Sequence, residues 1–268
     1  MKNLKEYISE SLFDIEDNID NVDESIKEQI KQFLNDNFDK AFLYKISDKP
    51  NADGKYEVSS DGYVIVKNYK ITSLTNGSFI WTTVGDDFYC SNCKSLSSLE
   101  GAPKVVGGSF ICSSCKSLKS LEEAPEKVGV NFHCGFCKSL ISLKGAPEKV
   151  GGNFSCEYCN SLTSLEGAPK EVNGTFNCGY CNSLTSLEGA PKEVGGRFDC
   201  GHCKSLTSLE GAPKEVGGKF DCFNCESLTS LKGAPKKVSG DFSCPNCGIK
   251  FTTDDVEKVS DVKGRIFV

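Results

Sequence analysis

The sequence predicts a mainly β solenoid: a stack of 22-residue coils with a small α-helical region on its N-terminal side. Three observations carry this. Phe-x-Cys-x-x-Cys recurs at Phe88, Phe110, Phe132, Phe154, Phe176, Phe198, Phe220 and Phe242, always 22 residues apart and without insertion. All 16 cysteines fall inside these eight copies. A fixed period of this size marks one supersecondary unit stacked on the next. An active site is normally built once, so eight copies of a Cys-x-x-Cys motif point to architecture.

Composition narrows the class. Hydrophobic residues make up 38% of the chain and there are nine prolines, which suits a folded protein. No run of about 18 apolar residues occurs, so no transmembrane helix is expected. MKNLKEYISESLFD lacks an apolar core and places acids early, so no secretory leader is expected either. The expected compartment is then the reducing cytoplasm, where cysteines are thiols or metal ligands. The net charge of −6 and pI of about 5.2 weigh against nucleic acid as a partner. Residues 1–48 hold 12 acids against 6 lysines, so the remainder balances at 25 of each sign.

Taken in order, residues 1–48 form an acidic amphipathic helical segment. Leu4, Ile8, Leu12 and Ile15 share one face at helical spacing. Ile26, Ile30, Phe33 and Leu34 do so again, with Ser25 and Glu28 as a capping box. Such helices either pack over one end of the array or dock a partner. Residues 49–87 form a strand-rich N-terminal cap and a degenerate first repeat. AFLYKIS, KYEVSS and GYVIVKN read as short strands, with a turn at Pro50, Asn51 and Gly54. In YVIVKNYKITSL, Tyr63 aligns with the Phe column, Ile65 with the first Cys and Asn68 with the second. Ile71 and Leu74 align with two Leu columns.

Residues 88–241 are seven full repeats, for which FNCGYCNSLTSLEGAPKEVGGR (176–197) stands. Columns that never vary are those where identical side chains touch above and below. Phe176, Cys178, Cys181, Leu184, Leu187, Ala190 and Val194 therefore read as inward-facing. Phe176 and Cys178, two apart, share one face of a short strand. The Gly-Gly pair permits a tight turn. Ala-Pro interrupts any ladder on the return and has room for one helical turn. Each coil is expected to be one strand, an inward loop and an irregular return. With strands about 4.8 Å apart, ten rungs span roughly 45 Å. Residues 242–268 are a last, degenerate repeat and cap strand, with Ile266 and Val268 on the Phe and first-Cys columns.

Phe-x-Cys-x-x-Cys-x-x-Leu-x-x-Leu resembles the cysteine-containing leucine-rich repeat, L-x-L-x-x-(N/C)-x-x-L-x-x-L, over residues 63–268. The 22-residue length resembles the short bacterial type, and the chain as a whole resembles repeat proteins of tailed phages of gut bacteria. The resemblance implies a right-handed stack whose strands line a concave face. Two features depart from the pattern: an aromatic at the first strand position, and four residues from Val to Phe instead of three.

The cysteines admit three readings. As zinc ligands, Cys90/Cys93, Cys112/Cys115, Cys134/Cys137, Cys156/Cys159, Cys178/Cys181, Cys200/Cys203, Cys222/Cys225 and Cys244/Cys247 fit four-thiolate spacing and would hold four ions. As redox dithiols, Cys200-Gly201-His202-Cys203 matches a disulfide-isomerase motif. Its context lacks the helix that such a thiolate needs, because KSLTSLEGAP follows. As buried ladders they need no metal or other cofactor. The degenerate ends favour this last reading, since Ile65 and Val268 replace the first cysteine with apolar residues and Ile266 fills the Phe column. Asn68 at the second column fits a loop side chain that satisfies backbone groups. The only histidines are His133 and His202, and no G-x-S-x-G, Walker loop or H-E-x-x-H occurs. No enzyme activity is expected.

Variation concentrates one residue before Phe and one, three and four residues after it, which on this fold is the strand face. One residue after Phe stand Tyr89, Ile111, His133, Ser155, Asn177, Asp199, Asp221 and Ser243. Four after Phe stand Asn92, Ser114, Phe136, Tyr158, Tyr180, His202, Asn224 and Asn246. Four successive rings, Phe136 to His202, are expected to stack as an exposed stripe. Aromatic anchors with a polar rim suit a protein-binding surface, and stacking that only stiffens the sheet is the alternative. The expected partner is another protein, not nucleic acid or membrane. Candidate contacts are Phe136, Tyr158, Tyr180, His202, Tyr89, Ile111, His133, Asp199 and Asp221.

Overall fold

A computed structural model describes residues 22–39 and 43–268. Ten or so coils stack into a β-solenoid whose inside is one continuous apolar core. Each full coil contributes two two-residue strands, such as Phe176–Asn177 and Glu193–Val194, which enter two separate parallel sheets. In one sheet Phe pairs with Phe through Phe154↔Phe176↔Phe198; in the other Val pairs with Val through Val172↔Val194↔Val216. The expected irregular return therefore contains a second strand. Glu193-Val194 is too short to display alternation, and its pairing comes wholly from stacking. No helical turn forms at Ala-Pro in these coils.

Identity between rungs explains the core. Phe rings from Phe88 to Phe242 follow one another at centroid separations of 5.0–5.6 Å. The Phe, both Cys, the two Leu and the Val columns of the full coils are buried, Cys247 in the last coil is partly so, and the Ala column packs against them. The first glycine after Val is required by close approach: a Cβ on Gly195 would stand 2.2 Å from the Asn173 carbonyl oxygen of the preceding coil. A different glycine, that of Glu-Gly-Ala-Pro, turns through positive φ, as in Gly189 at 90°. Glu123 alone replaces it, at φ 65°.

The N-terminal side closes both sheets. Helix α1 (22–37) buries Ile30 and Leu34, with Ile26 and Phe33 packed at the core's margin. Ser25 and Glu28 are interior helical residues, which overturns the capping box; the helix already runs at residue 22. Strand β1 (Tyr44–Ile46) pairs antiparallel with β2 (Tyr56–Ser60), so the helical segment does not extend to residue 48. The predicted turn is present, with Asn51 Oδ1 accepting from the Asp53 and Lys55 amides. Phe38 bridges Val66, and its ring meets Trp81 at 5.5 Å and Phe88 at 6.3 Å. Leu4, Ile8, Leu12 and Ile15 lie outside the described residues.

One register is corrected. In β3 (Val64–Ile65), Val64 pairs with Phe88 and Ile65 with Tyr89. Val64 and Val66 are buried on the Phe and first-Cys columns, whereas Tyr63 is exposed. Asn68, Ile71 and Leu74 keep their expected places: Tyr69 O accepts from Lys94 N, and Leu74 N donates to Glu100 O, as Leu121 N does to Lys144 O. The first coil is thus one residue shorter between its two loop columns. At the far end Ile266 pairs with Phe242 as expected. There the return forms helix α2 (Thr253–Glu257), opened by a Thr252–Asp255 capping box.

Candidate functional site

The stripe exists, and its backbone is unusual. Every residue four after Phe, from Asn92 to Asn246, has φ between 54° and 62°. Asn takes this left-handed conformation readily, but an aromatic side chain pays about 1–2 kcal/mol for it. The bend follows from the loop: it turns the chain so that the second cysteine points inward. It also throws the preceding side chain outward. Rings on consecutive bends are held in register, with Phe136–Tyr158 at 4.6 Å, Tyr158–Tyr180 at 4.3 Å and Tyr180–His202 at 4.1 Å, all within 13° of parallel. Phe136 is exposed, and Tyr158, Tyr180 and His202 are partly so.

The neighbouring column is less open than expected. Tyr89, Ile111, His133, Asn177 and Asp199 are partly buried, while Ser155 and Ser243 are buried. Asp221 is fully buried, which removes it from any contact surface as it stands. It joins Arg197 through Nε, and Lys219 Nζ lies 2.8 Å from its other oxygen. Arg197 also reaches Asp199 at 2.7 Å, and Asp199 Oδ1 accepts from Gly201 N at 2.9 Å. Burial holds the Asp199 carboxyl above its usual range against the pull of that amide and of Arg197. Burial lowers the His133 imidazole, opposed by Glu157. This column therefore braces the face, and the ring column presents it.

The cysteines have two distinct jobs. From Cys115 onward the second cysteine donates its thiol to the backbone carbonyl of the first cysteine one coil back: Cys181 Sγ to Cys156 O at 3.2 Å and Cys203 Sγ to Cys178 O at 3.3 Å. The same bond recurs in all seven such pairs, from Cys115–Cys90 to Cys247–Cys222. That carbonyl has no ladder amide, so the thiol satisfies a buried acceptor. In the first coil Asn68 takes the same place and bonds Asn37 Oδ1 instead. The first cysteine is filler that adjoins a carbonyl already bonded by its own amide, as Cys178 does at Asp199 O. Twelve thiols are held above their usual range, ten of them chiefly by burial; Cys137 and Cys225 are pushed up to about 12. A thiol so held is not a ready nucleophile. Among the described residues no three His, Cys, Asp or Glu side chains converge into a metal-holding group.

Some surface features escaped the sequence reading. Glycine at Gly201 makes room for the Phe223 ring, which a Cβ there would meet at 2.6 Å. Lys94, Lys116 and Lys138 form a column two residues beyond the stripe, and exposed Ile141 stands where later coils carry Thr163, Thr185, Thr207 and Thr229. The departure of Ser97, Lys119 and Ile141 from the Ser-Leu-Thr-Ser-Leu of the four later coils was the available signal. Among the described residues no helix is long and apolar enough to cross a membrane. Comparison with protein-family models, with curated proteins and with solved structures finds no match.

Proposed function

We propose that this solenoid is a non-enzymatic binding protein, related in kind to short leucine-rich arrays, whose face around Phe136, Tyr158, Tyr180 and His202 captures another protein. One observation carries the reading. The chain uses Asn at this bend in Asn92, Asn224 and Asn246, yet installs four consecutive rings there, of which Phe136, Tyr158 and Tyr180 run against the backbone preference. Strain that the fold does not require is a pointer to function. Rigid aromatic groups with polar flanks also supply binding area at low entropic cost. A reducing, cytoplasmic setting suits the thiols, which serve as donors only while reduced.

The test uses the chain's own alternative residue. Tyr158→Asn combined with Tyr180→Asn should leave the thermal midpoint nearly unchanged, because Asn relieves the bend as the stacking is lost. Partners retained by the native chain in a quantitative pull-down should fall away with this variant. Retention of every partner would leave the stripe a stiffening device.

A further inference from the structure

The stripe is closed at one end and open at the other. Beyond His202 the Phe223 ring stands edge-on at 4.9 Å, and Asn224 Nδ2 lies 3.2 Å from His202 Nε2. At the opposite end Phe136 stacks on Tyr158 through one face only. Its neighbour in the preceding coil is Ser114, which has the same bend at φ 61° and no ring. Phe136 is 41% exposed.

The surroundings of that end have their own character. Across the buried second-cysteine column stand Lys94, Lys116 and Lys138, exposed in three successive coils, where the next two coils carry Asn160 and Asn182. Lys119 and Ile141 occupy neighbouring rungs further along the loop, joined by Ile141 N to Lys119 O at 3.0 Å, and Ile141 is 61% exposed. Among the described residues none of these four lysines has a carboxylate within ion-pair distance. Other lysines of the array do, as in Lys144–Glu122, Lys204–Glu226 and Lys232–Glu210. On an array whose charges balance only in total, this is a local excess of positive charge beside exposed apolar groups.

Building on the binding reading above, we propose that this end of the stripe docks an acidic segment of the partner protein. One aromatic side chain of that segment lies on the free face of Phe136 and extends the stack by a rung. The unpaired lysines select carboxylates, the vacant rung over Ser114 selects a flat ring, and Ile141 receives an adjacent apolar group. A single-stranded nucleic acid fits less well, since it uses one stacking platform per base. Here the other ring faces are already consumed by the stripe itself.

The test is fluorescence anisotropy with the full chain. The probe is a short labelled peptide in which glutamates flank one tryptophan. Its counterparts replace the tryptophan by alanine or the glutamates by lysine, and a thymidine oligonucleotide is the nucleic-acid control. The acidic tryptophan peptide should bind, more weakly as salt rises. Losing the ring, or Phe136→Asn in the protein, should weaken it about tenfold or more. Lys116→Glu with Lys138→Glu should do the same, with the thermal midpoint of each variant near native. Tighter binding of the oligonucleotide, equal binding of the basic peptide, or indifference to Phe136→Asn each overturns the proposal. Loss of a captured partner on Tyr158→Asn with Tyr180→Asn, alongside indifference to Phe136→Asn, would overturn this docking end and leave the wider binding role standing.

Discussion

Two side chains of one motif, Cys178 and Cys181, look interchangeable and are not. Cys178 occupies space beside a carbonyl that its own amide already bonds. Cys181 is the donor that the Cys156 carbonyl has. Cys178→Val, matching Val66 and Val268 in the same column, keeps the position apolar and adds about one methyl group, so it should cost less than the loss of a buried donor. Cys181→Val should cost about 1–3 kcal/mol by leaving a buried acceptor unmet. Urea unfolding of the two variants checks the order, and a reversed ranking would contradict the assigned roles. Glu123 offers a gain. It stands at φ 65° where six coils use glycine, and at Gly145 in the next coil a Cβ would stand 2.3 Å from the Leu121 carbonyl oxygen. Glu123→Gly should stabilise by about 0.5–1 kcal/mol, the relief of the left-handed bend less the added freedom of the unfolded chain. An unchanged or lowered thermal midpoint would count against it.

At the scale of elements, the Phe column is the spine of one sheet. Each inner ring meets one above and one below, as Phe176 meets Phe154 at 5.2 Å and Phe198 at 5.3 Å. Phe176→Ala should cost about 3–5 kcal/mol because neither neighbour can close the gap while its own strand stays paired. A loss under about 1 kcal/mol in equilibrium unfolding would mean the column is not core. This column was legible in the sequence because identity at a fixed period is what stacking demands. The first coil was not, since Tyr63, Val64, Ile65 and Val66 are all apolar and either register buries two of them. The Phe38 bridge to Val66 accompanies the one observed, a long-range contact invisible to local pattern. The bend under the stripe was half legible. Asn92, Asn224 and Asn246 advertise a left-handed position, but the rings between them hide it. The burial of Asp221 was hidden too, because its covering charges, Arg197 and Lys219, lie 24 and 2 residues away in sequence.

For the whole molecule, the thiols set an alkaline limit. Twelve have their titration displaced upward in the folded chain, so above about pH 9, the ordinary thiol value, the unfolded chain loses protons that the folded one keeps. Stability is then full below about pH 9 and falls as pH rises. Each such thiol contributes up to about 1.4 kcal/mol per pH unit until its folded form titrates. Cys115 and Cys247, held below their usual range by hydrogen bonds from Cys93 and Cys222, act in the opposite sense, and the larger number of raised thiols decides the direction. Circular dichroism of the reduced protein should show a steep cooperative collapse between about pH 9.5 and 11, on that same linkage. A flat profile to pH 11 would mean that the thiols are not buried as described.

The inter-coil bonds run along the stack, each coil held only by the one before and the one after it. Drawn apart by its two ends, such a chain peels. Its backbone bonds break a few at a time at the loaded coil, and each coil released adds up to about 75 Å of slack. A stretched molecule would lengthen in even steps under modest force, a ratchet of uniform teeth, while the rings on the coils still wound keep their spacing.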